Sequence, residues 1–144
     1  MHAPRSLFSL AALGLFCVIP ELWAQMPRTP SEPNAQVYFI QPKNNAVIKG
    51  SVKVVMGLVG MGIAPAGVGS PATGHHHLII DAPLPALNIG LPMDDNHHHF
   101  GKGQTEATLQ LLPGQHTLQL VLADKNHVPH DPTVISEVIS ITVQ

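Results

Sequence analysis

Eight histidines stand in three tight groups: His75-His76-His77, His97-His98-His99, and the pair His127 and His130. Imidazole is the commonest protein ligand for metals and the side chain whose ordinary titration falls nearest neutral pH. Grouped in this way it offers two chemistries. Bare ring nitrogens can hold a transition metal, or rings bonded to carboxylates and backbone can tie loops together. Spacing narrows the candidates. On extended chain, residues i and i+2 face the same side, so His75 pairs with His77 and His97 with His99, while His76 and His98 point elsewhere. The His127-Val128-Pro129-His130 run suits a turn in which Pro129 fixes the backbone and brings both rings near each other. His75, His77, His97, His99, His127 and His130 are therefore the candidate metal ligands. Three or four nitrogens satisfy Zn(II) or Cu(II), so six rings would leave some to orient the ligands or to form a second site. Met61 and Met93 could add thioether sulfur, which favours Cu(I) and makes copper the first metal to test. Loop packing is the plainer role for both, and Met56 has the inward parity of a core residue.

The elements that must position these rings are short strands. Val52, Val54, Met56 and Leu58 alternate with Lys53, Val55 and Gly57; Ala107, Leu109 and Leu111 with Glu106, Thr108 and Gln110; Leu118, Leu120 and Leu122 with Thr117, Gln119 and Val121; Ile139, Ile141 and Val143 with Val138, Ser140 and Thr142. This period of two marks strands with one buried face. Two less regular runs bring the set to six: 36–40, 51–58, 76–81, 105–111, 115–123 and 136–143. No segment of useful length sustains a helical period. The expected architecture is all-β, a single immunoglobulin-like antiparallel β-sandwich, with a jelly roll or cupin barrel as the structural alternative. Two long connections, 59–74 and 82–96, are rich in Gly and Pro. Their apolar composition argues that they pack over the domain rather than remain disordered.

Threading those strands through a sandwich gives the histidines a place. Consecutive strands alternate in direction, so the connection before 76–81, the start of 105–111 and the loop after 115–123 fall at one end. All three groups are expected there. His116 follows the Pro113-Gly114 turn at the other end and is expected to be structural, hydrogen-bonded near the turn.

Composition excludes several classes. Seven Lys and Arg against nine Asp and Glu give a formal net charge of −2, so no basic stripe suggests nucleic acid or an anionic membrane. Arg5, the apolar run Leu7 to Ile19 and the Leu22-Trp23-Ala24 cleavage pattern predict a signal peptide over 1–24, too short to span a bilayer. A Pro-rich linker over 25–34 and a β domain over 35–144 follow. The expected location is periplasmic or secreted, with no membrane span after cleavage. Cleavage would remove Cys17, the only cysteine, leaving a domain with neither disulfide nor thiolate ligand.

Four blocks carry a resemblance. They are Gly60-Met61-Gly62-Ile63-Ala64-Pro65-Ala66-Gly67; Gly74-His75-His76-His77-Leu78-Ile79-Ile80-Asp81; His99-Phe100-Gly101-Lys102-Gly103-Gln104-Thr105-Glu106; and Asp124-Lys125-Asn126-His127-Val128-Pro129-His130-Asp131-Pro132. With these blocks the chain resembles the bacterial domain of unknown function family 4399, from Val37 to the C-terminus. The resemblance implies an exported small β domain and a His-Ile-His second block, so His97 and His99 match and His98 departs.

The expectation is thus an exported β-sandwich whose histidines bind copper or zinc, its partner a metal ion, with another periplasmic protein as a further candidate. The alternative is a metal-free interaction module, its histidines bonded to Asp81, Asp94, Asp95 and Asp131. That module would present an apolar patch of Ile63, Val68, Leu87, Ile89 and Leu91. An enzyme using Glu106 or Asp131 as a base beside three histidines and an open metal position is the weakest of the three. The chain has no HExxH or GxSxG.

Overall fold

The computed structural model describes residues 27–144; the expected signal peptide lies outside them, as does the start of the linker. The described chain is all-β, with nine strands and no helix, so no helix there is long and apolar enough to cross a membrane. The strands are β1 (Gln36–Gln41), β2 (Ala46–Ile48), β3 (Val52–Val59), β4 (Gly62–Ile63), β5 (Thr73–Ile80), β6 (His97–His99), β7 (Glu106–Leu109), β8 (Gly114–Ala123) and β9 (Ile139–Val143). They form two sheets. One has the order β1-β3-β7, antiparallel throughout. The other runs β2-β9-β8-β5-β4, with β6 also paired to β5 and with β2 parallel to β9.

The period-two pattern explains the packing. Val37, Phe39, Val52, Val54, Met56 and Leu109 of the first sheet share one apolar core with Leu78, Ile80, Leu118, Leu120, Leu122, Ile139, Ile141 and Val143 of the second. Burial of this many branched side chains, each contributing about 1.5–3 kcal/mol, is what offsets the chain's conformational entropy.

Strand β5 departs from simple alternation. Every residue from Gly74 to Ile80 is buried, because β5 is covered on both faces. Its even residues Leu78 and Ile80 face the shared core. On the opposite face Ile79 joins Val121, Ala123 and Leu91, with Ala82 and Leu84 packed against them. The 81–96 connection therefore folds back over the outer face of its own sheet. Its end is fastened to β5: Ile80 N–H donates to Asn96 O and Asn96 Nδ2 donates to Ile80 O, both at 2.8 Å. The segment ahead of β1 is also tied down. Ser31 N–H donates to Asp131 O and Asp131 N–H to Thr29 O, each at 3.0 Å. Arg28 Nε donates to Pro129 O at 3.0 Å.

Candidate metal centre

The odd-numbered side chains of β5 build the centre. Because successive strand residues alternate faces, His75 and His77 lie with Ile79 on the outer face. Their cross-strand partners there are Ala123 and Val121, both small enough to leave room for rings. Strand β6 pairs antiparallel to the other edge of β5 with His99 opposite His77, which brings a third ring to the same patch.

The fourth comes from a tight turn after β8. Asp124, itself buried, accepts from Asn126 N–H at 2.8 Å and from Val128 N–H at 3.1 Å through Oδ1. Its Oδ2 accepts from Thr29 Oγ1 at 2.6 Å. His127 closes that turn in the left-handed region, at φ 65°, and its carbonyl accepts from Leu91 N–H at 2.9 Å. The turn, the 81–96 connection and the N-terminal segment thus hold His127 over the sheet.

His75, His77, His99 and His127 each present a ring nitrogen such that all four lie within 4.8 Å of one another. His77 Nε2 is 3.0 Å from His75 Nε2, which is 3.2 Å from His127 Nδ1. His75 and His77 are fully buried; His99 and His127 are half-buried. Gly101 completes the cradle. A Cβ built there would stand 2.2 Å from Cε1 and Nε2 of His99, so the His99 ring occupies the space that any larger residue would need.

The electrostatics favour bare nitrogens. Burial above all, then the neighbouring His127 and His99, lowers the His75 pKa to about 4. Burial, then His75, His99 and His127, lowers His77 to about 2. Burial followed by His127 lowers His99 as well. These rings are neutral at pH 7 and offer lone pairs, the form a metal ligand requires. No carboxylate lies among them; Asp124 acts only from behind His75.

The structure brings together four of the six candidate ligands. His97 sits two residues along β6 from His99, opposite Ile79. A shift of two residues is about 6.6 Å along a strand, and there His97 Nδ1–H donates to Asp94 Oδ1 at 2.7 Å. His130 leaves the turn on the other face. Its Nε2 would lie 2.9 Å from a Cβ at Gly74, beside Leu122, and its Nδ1 is 3.2 Å from Thr29 O. The spacing of His127 and His130 carried no sign of this, because the turn closes at Val128 and the chain runs on extended past it.

The other histidines separate cleanly. His76 points into the shared core, fully buried, with neither ring nitrogen bonded; burial lowers its pKa to about 4. His98 Nε2 approaches Asp95 O at 3.1 Å. His116 lies near its turn, with Nδ1 2.6 Å from Asp81 Oδ2 and Nε2 2.8 Å from Leu112 O. Both partners accept only, so both ring nitrogens must donate and the ring carries a proton. The Leu112 carbonyl, then Asp81, accordingly raises the His116 pKa.

The methionines and the proposed apolar patch are also placed. Met93 is exposed, Met61 packs against the shared core, and Met56 is within it. Ile63 packs on that core while Leu91 joins the outer cluster, so the patch residues divide between opposite faces of one sheet.

Fold and rings together define a small all-β domain with a four-histidine centre on the outer face of one sheet. The chain belongs to the family described as Domain of unknown function (DUF4399), which matches residues 54–144. That span contains all four rings and excludes β1, a shorter extent than the resemblance from Val37 implied. No curated protein matches the chain. Among solved structures, the endo-beta-1,4-mannanase from Thermotoga petrophila is similar at 18% identity and a TM-score of 0.44. The alignment covers 78% of this chain and 20% of that one, so the chain spans about a fifth of the enzyme's length.

Proposed function

We propose that this protein is an exported immunoglobulin-like domain that binds one transition-metal ion, copper or zinc, through His75, His77, His99 and His127. The convergence of four imidazoles within 4.8 Å, three of them held neutral by burial, carries the reading. A hydrogen-bond network is a poorer account of those contacts. A neutral imidazole nitrogen either donates one proton or accepts along one direction. His75 Nε2 meets two nitrogens, at 3.0 and 3.2 Å, and can satisfy only one of them. One shared ion satisfies all three, since ligands ~2.0–2.1 Å from an ion lie roughly 2.9–3.4 Å from one another.

Among the described residues, every buried side-chain nitrogen or oxygen without a partner belongs to a histidine. His75 Nδ1 and His77 Nδ1 are among them, so this centre lacks the outer hydrogen bonds that commonly orient ligating rings. A metal-free role suits His97 better. Through Asp94 it helps to close the 81–96 connection, which Asn96 fastens to β5.

The immunoglobulin-like assignment is supported by strand order. With β1, β3, β5, β7, β8 and β9 read as A, B, C, E, F and G, the sheets are A-B-E and G-F-C, the two-sheet division of that fold. Export is supported by the N-terminal pattern, and mass measurement of the protein recovered from an expressing bacterium checks it through cleavage after Ala24.

Equilibrium dialysis of tag-free protein against micromolar Zn(II) or Cu(II) tests the binding itself. About one ion per chain is expected at pH 7.5, and retention should fall as the pH drops toward 4, where protons begin to compete for His75. Retention is expected to persist in His116→Ala and to drop sharply in His99→Ala. If neither metal is retained at pH 7.5, the reading is wrong.

A further inference from the structure

The spacing of the four rings says which ions the centre takes. An ion ~2.0–2.1 Å from an imidazole nitrogen lies about 3.2 Å from that ring's centroid. Four rings arranged tetrahedrally are then about 5.2 Å apart in every pairing. Four in a square have edges of about 4.5 Å and two diagonals of about 6.4 Å.

The six observed centroid distances all fall between 4.6 and 5.7 Å. The longest, 5.7 Å, joins His77 to His127. In a square the other diagonal would join the two remaining rings, His75 and His99, and that distance is 5.0 Å. No assignment of corners yields two diagonals. The nitrogen contacts at 3.0 and 3.2 Å fit either arrangement. The full spread of the four nitrogens, up to 4.8 Å, is wider than the ~3.4 Å of a tetrahedron or the ~4.2 Å diagonal of a square, so the rings close in on an ion in either case. The centroids distinguish the two.

The elements explain this shape and oppose its flattening. Three rings rise from two neighbouring strands of one sheet face, and the fourth descends from a turn. His75 and His77 are fully buried, His99 is packed over Gly101, and the His127 turn is pinned by Asp124 and Leu91. Carrying four rings into one plane would mean moving at least one of these supports.

The geometry points to a closed tetrahedral centre that selects the d10 ions Zn(II) and Cu(I) over Cu(II). This rests on the metal-binding reading above and narrows it. With four protein nitrogens around the ion no position is left for substrate, which is the pattern of structural rather than catalytic metal sites. The ion pins β5, β6 and the 124–128 turn to one another. Selection against Cu(II) is a demanding claim, because a site without geometric preference takes Cu(II) ahead of Zn(II).

Cobalt(II) reports coordination number through its visible spectrum: four-coordinate ions absorb intensely and six-coordinate ions weakly. Titration of the metal-free chain with Co(II) is expected to give intense bands that saturate at one equivalent and vanish on adding Zn(II). In His99→Ala, which is expected to lose the ion, the bands at one equivalent should be largely lost; bands unchanged by that substitution would overturn the assignment. Co(II) bound at one equivalent with weak bands only would overturn the tetrahedral centre and leave metal binding standing. If zinc is retained but cobalt is not, X-ray absorption of the zinc-loaded protein reads the same quantity. Four nitrogens support the proposal, and five or six ligands overturn it. Retention of neither ion removes both the proposal and the reading beneath it. In a second arm, Zn(II) and Cu(II) are offered together at equal concentration under air. Zinc is expected in more than half the sites, and a copper majority would overturn the selectivity.

Discussion

A single hydrogen atom separates a working His99 from a displaced one. Gly101 has no side chain, and the His99 ring lies where its Cβ would be, at 2.2 Å. The Gly101 backbone is not in the left-handed region, so alanine is tolerable to the main chain and the ring is what must yield. Gly101→Ala is therefore expected to fold with near-native stability yet bind Zn(II) at least about ten-fold more weakly, a loss of about 1.4 kcal/mol or more. Competition with a chromophoric chelator measures this; native affinity in the variant would show that the ring position is not critical. Parity is legible in the sequence at this scale, since i and i+2 on a strand share a face. Register is not, which is why His97 stands among the expected ligands. The pairing that sets His99 opposite His77 leaves His97 opposite Ile79, and Asp94, three residues before His97, then accepts a hydrogen bond from its Nδ1.

At the scale of the element, β5 serves two interiors at once. Its outer face carries the four-histidine cluster and its inner face carries His76 into the shared core with both nitrogens unbonded. An unsatisfied buried polar group costs about 1–3 kcal/mol. His76→Leu, which keeps most of the volume, is accordingly expected to stabilise the metal-free protein by about 1 kcal/mol. His76→Ala should instead destabilise it by about 2–4 kcal/mol through the cavity it leaves. Urea denaturation of both variants separates the effects, and a destabilised His76→Leu would mean that the ring has a partner. The two-faced burial of β5 is also why part of the architecture was hard to read. His75 to Ile80 shows no polar alternation to reveal which face meets the other sheet, so the histidines were expected at an end of the domain rather than beneath the 81–96 connection. The alternating strands 51–58 and 115–123 carry their own signal and match β3 and β8 closely. The two- and three-residue strands β2, β4 and β6 did not, since so short a run has no period to detect.

For the whole molecule, the buried rings set a pH dependence whose sign follows from linkage. The folded state holds His75 and His76 near pKa 4 and His77 near 2, against an ordinary value of 6.5. Unfolded chains therefore take up protons that the folded chain refuses once the pH drops below about 6.5. Stability conferred by keeping these rings neutral is complete above that pH and is lost as the pH falls toward 4, by up to about 1.4 kcal/mol per pH unit for each ring. His116 works in the opposite sense. Its raised pKa gives stability that is present below 6.5 and lost as the pH rises through the folded value. Partial burial pushes its partner Asp81 up, but hydrogen bonds from His116 and the Thr117 N–H hold that carboxyl below its ordinary value. Metal-free protein should thus be most stable near neutrality and lose stability steeply between pH 6.5 and 4, as read by urea midpoints. A flat profile over that range would contradict the buried, neutral state of the three rings.

The central claim is that four particular imidazoles hold one ion. Native mass spectrometry of the zinc-equilibrated chain, together with single alanine variants, tests it most directly. The account predicts a mass increase of one zinc per chain in the wild type and in His97→Ala and His130→Ala, and its loss in His77→Ala and His99→Ala. A wild-type chain that carries no ion, or an ion that survives removal of His77 and of His99, would contradict it.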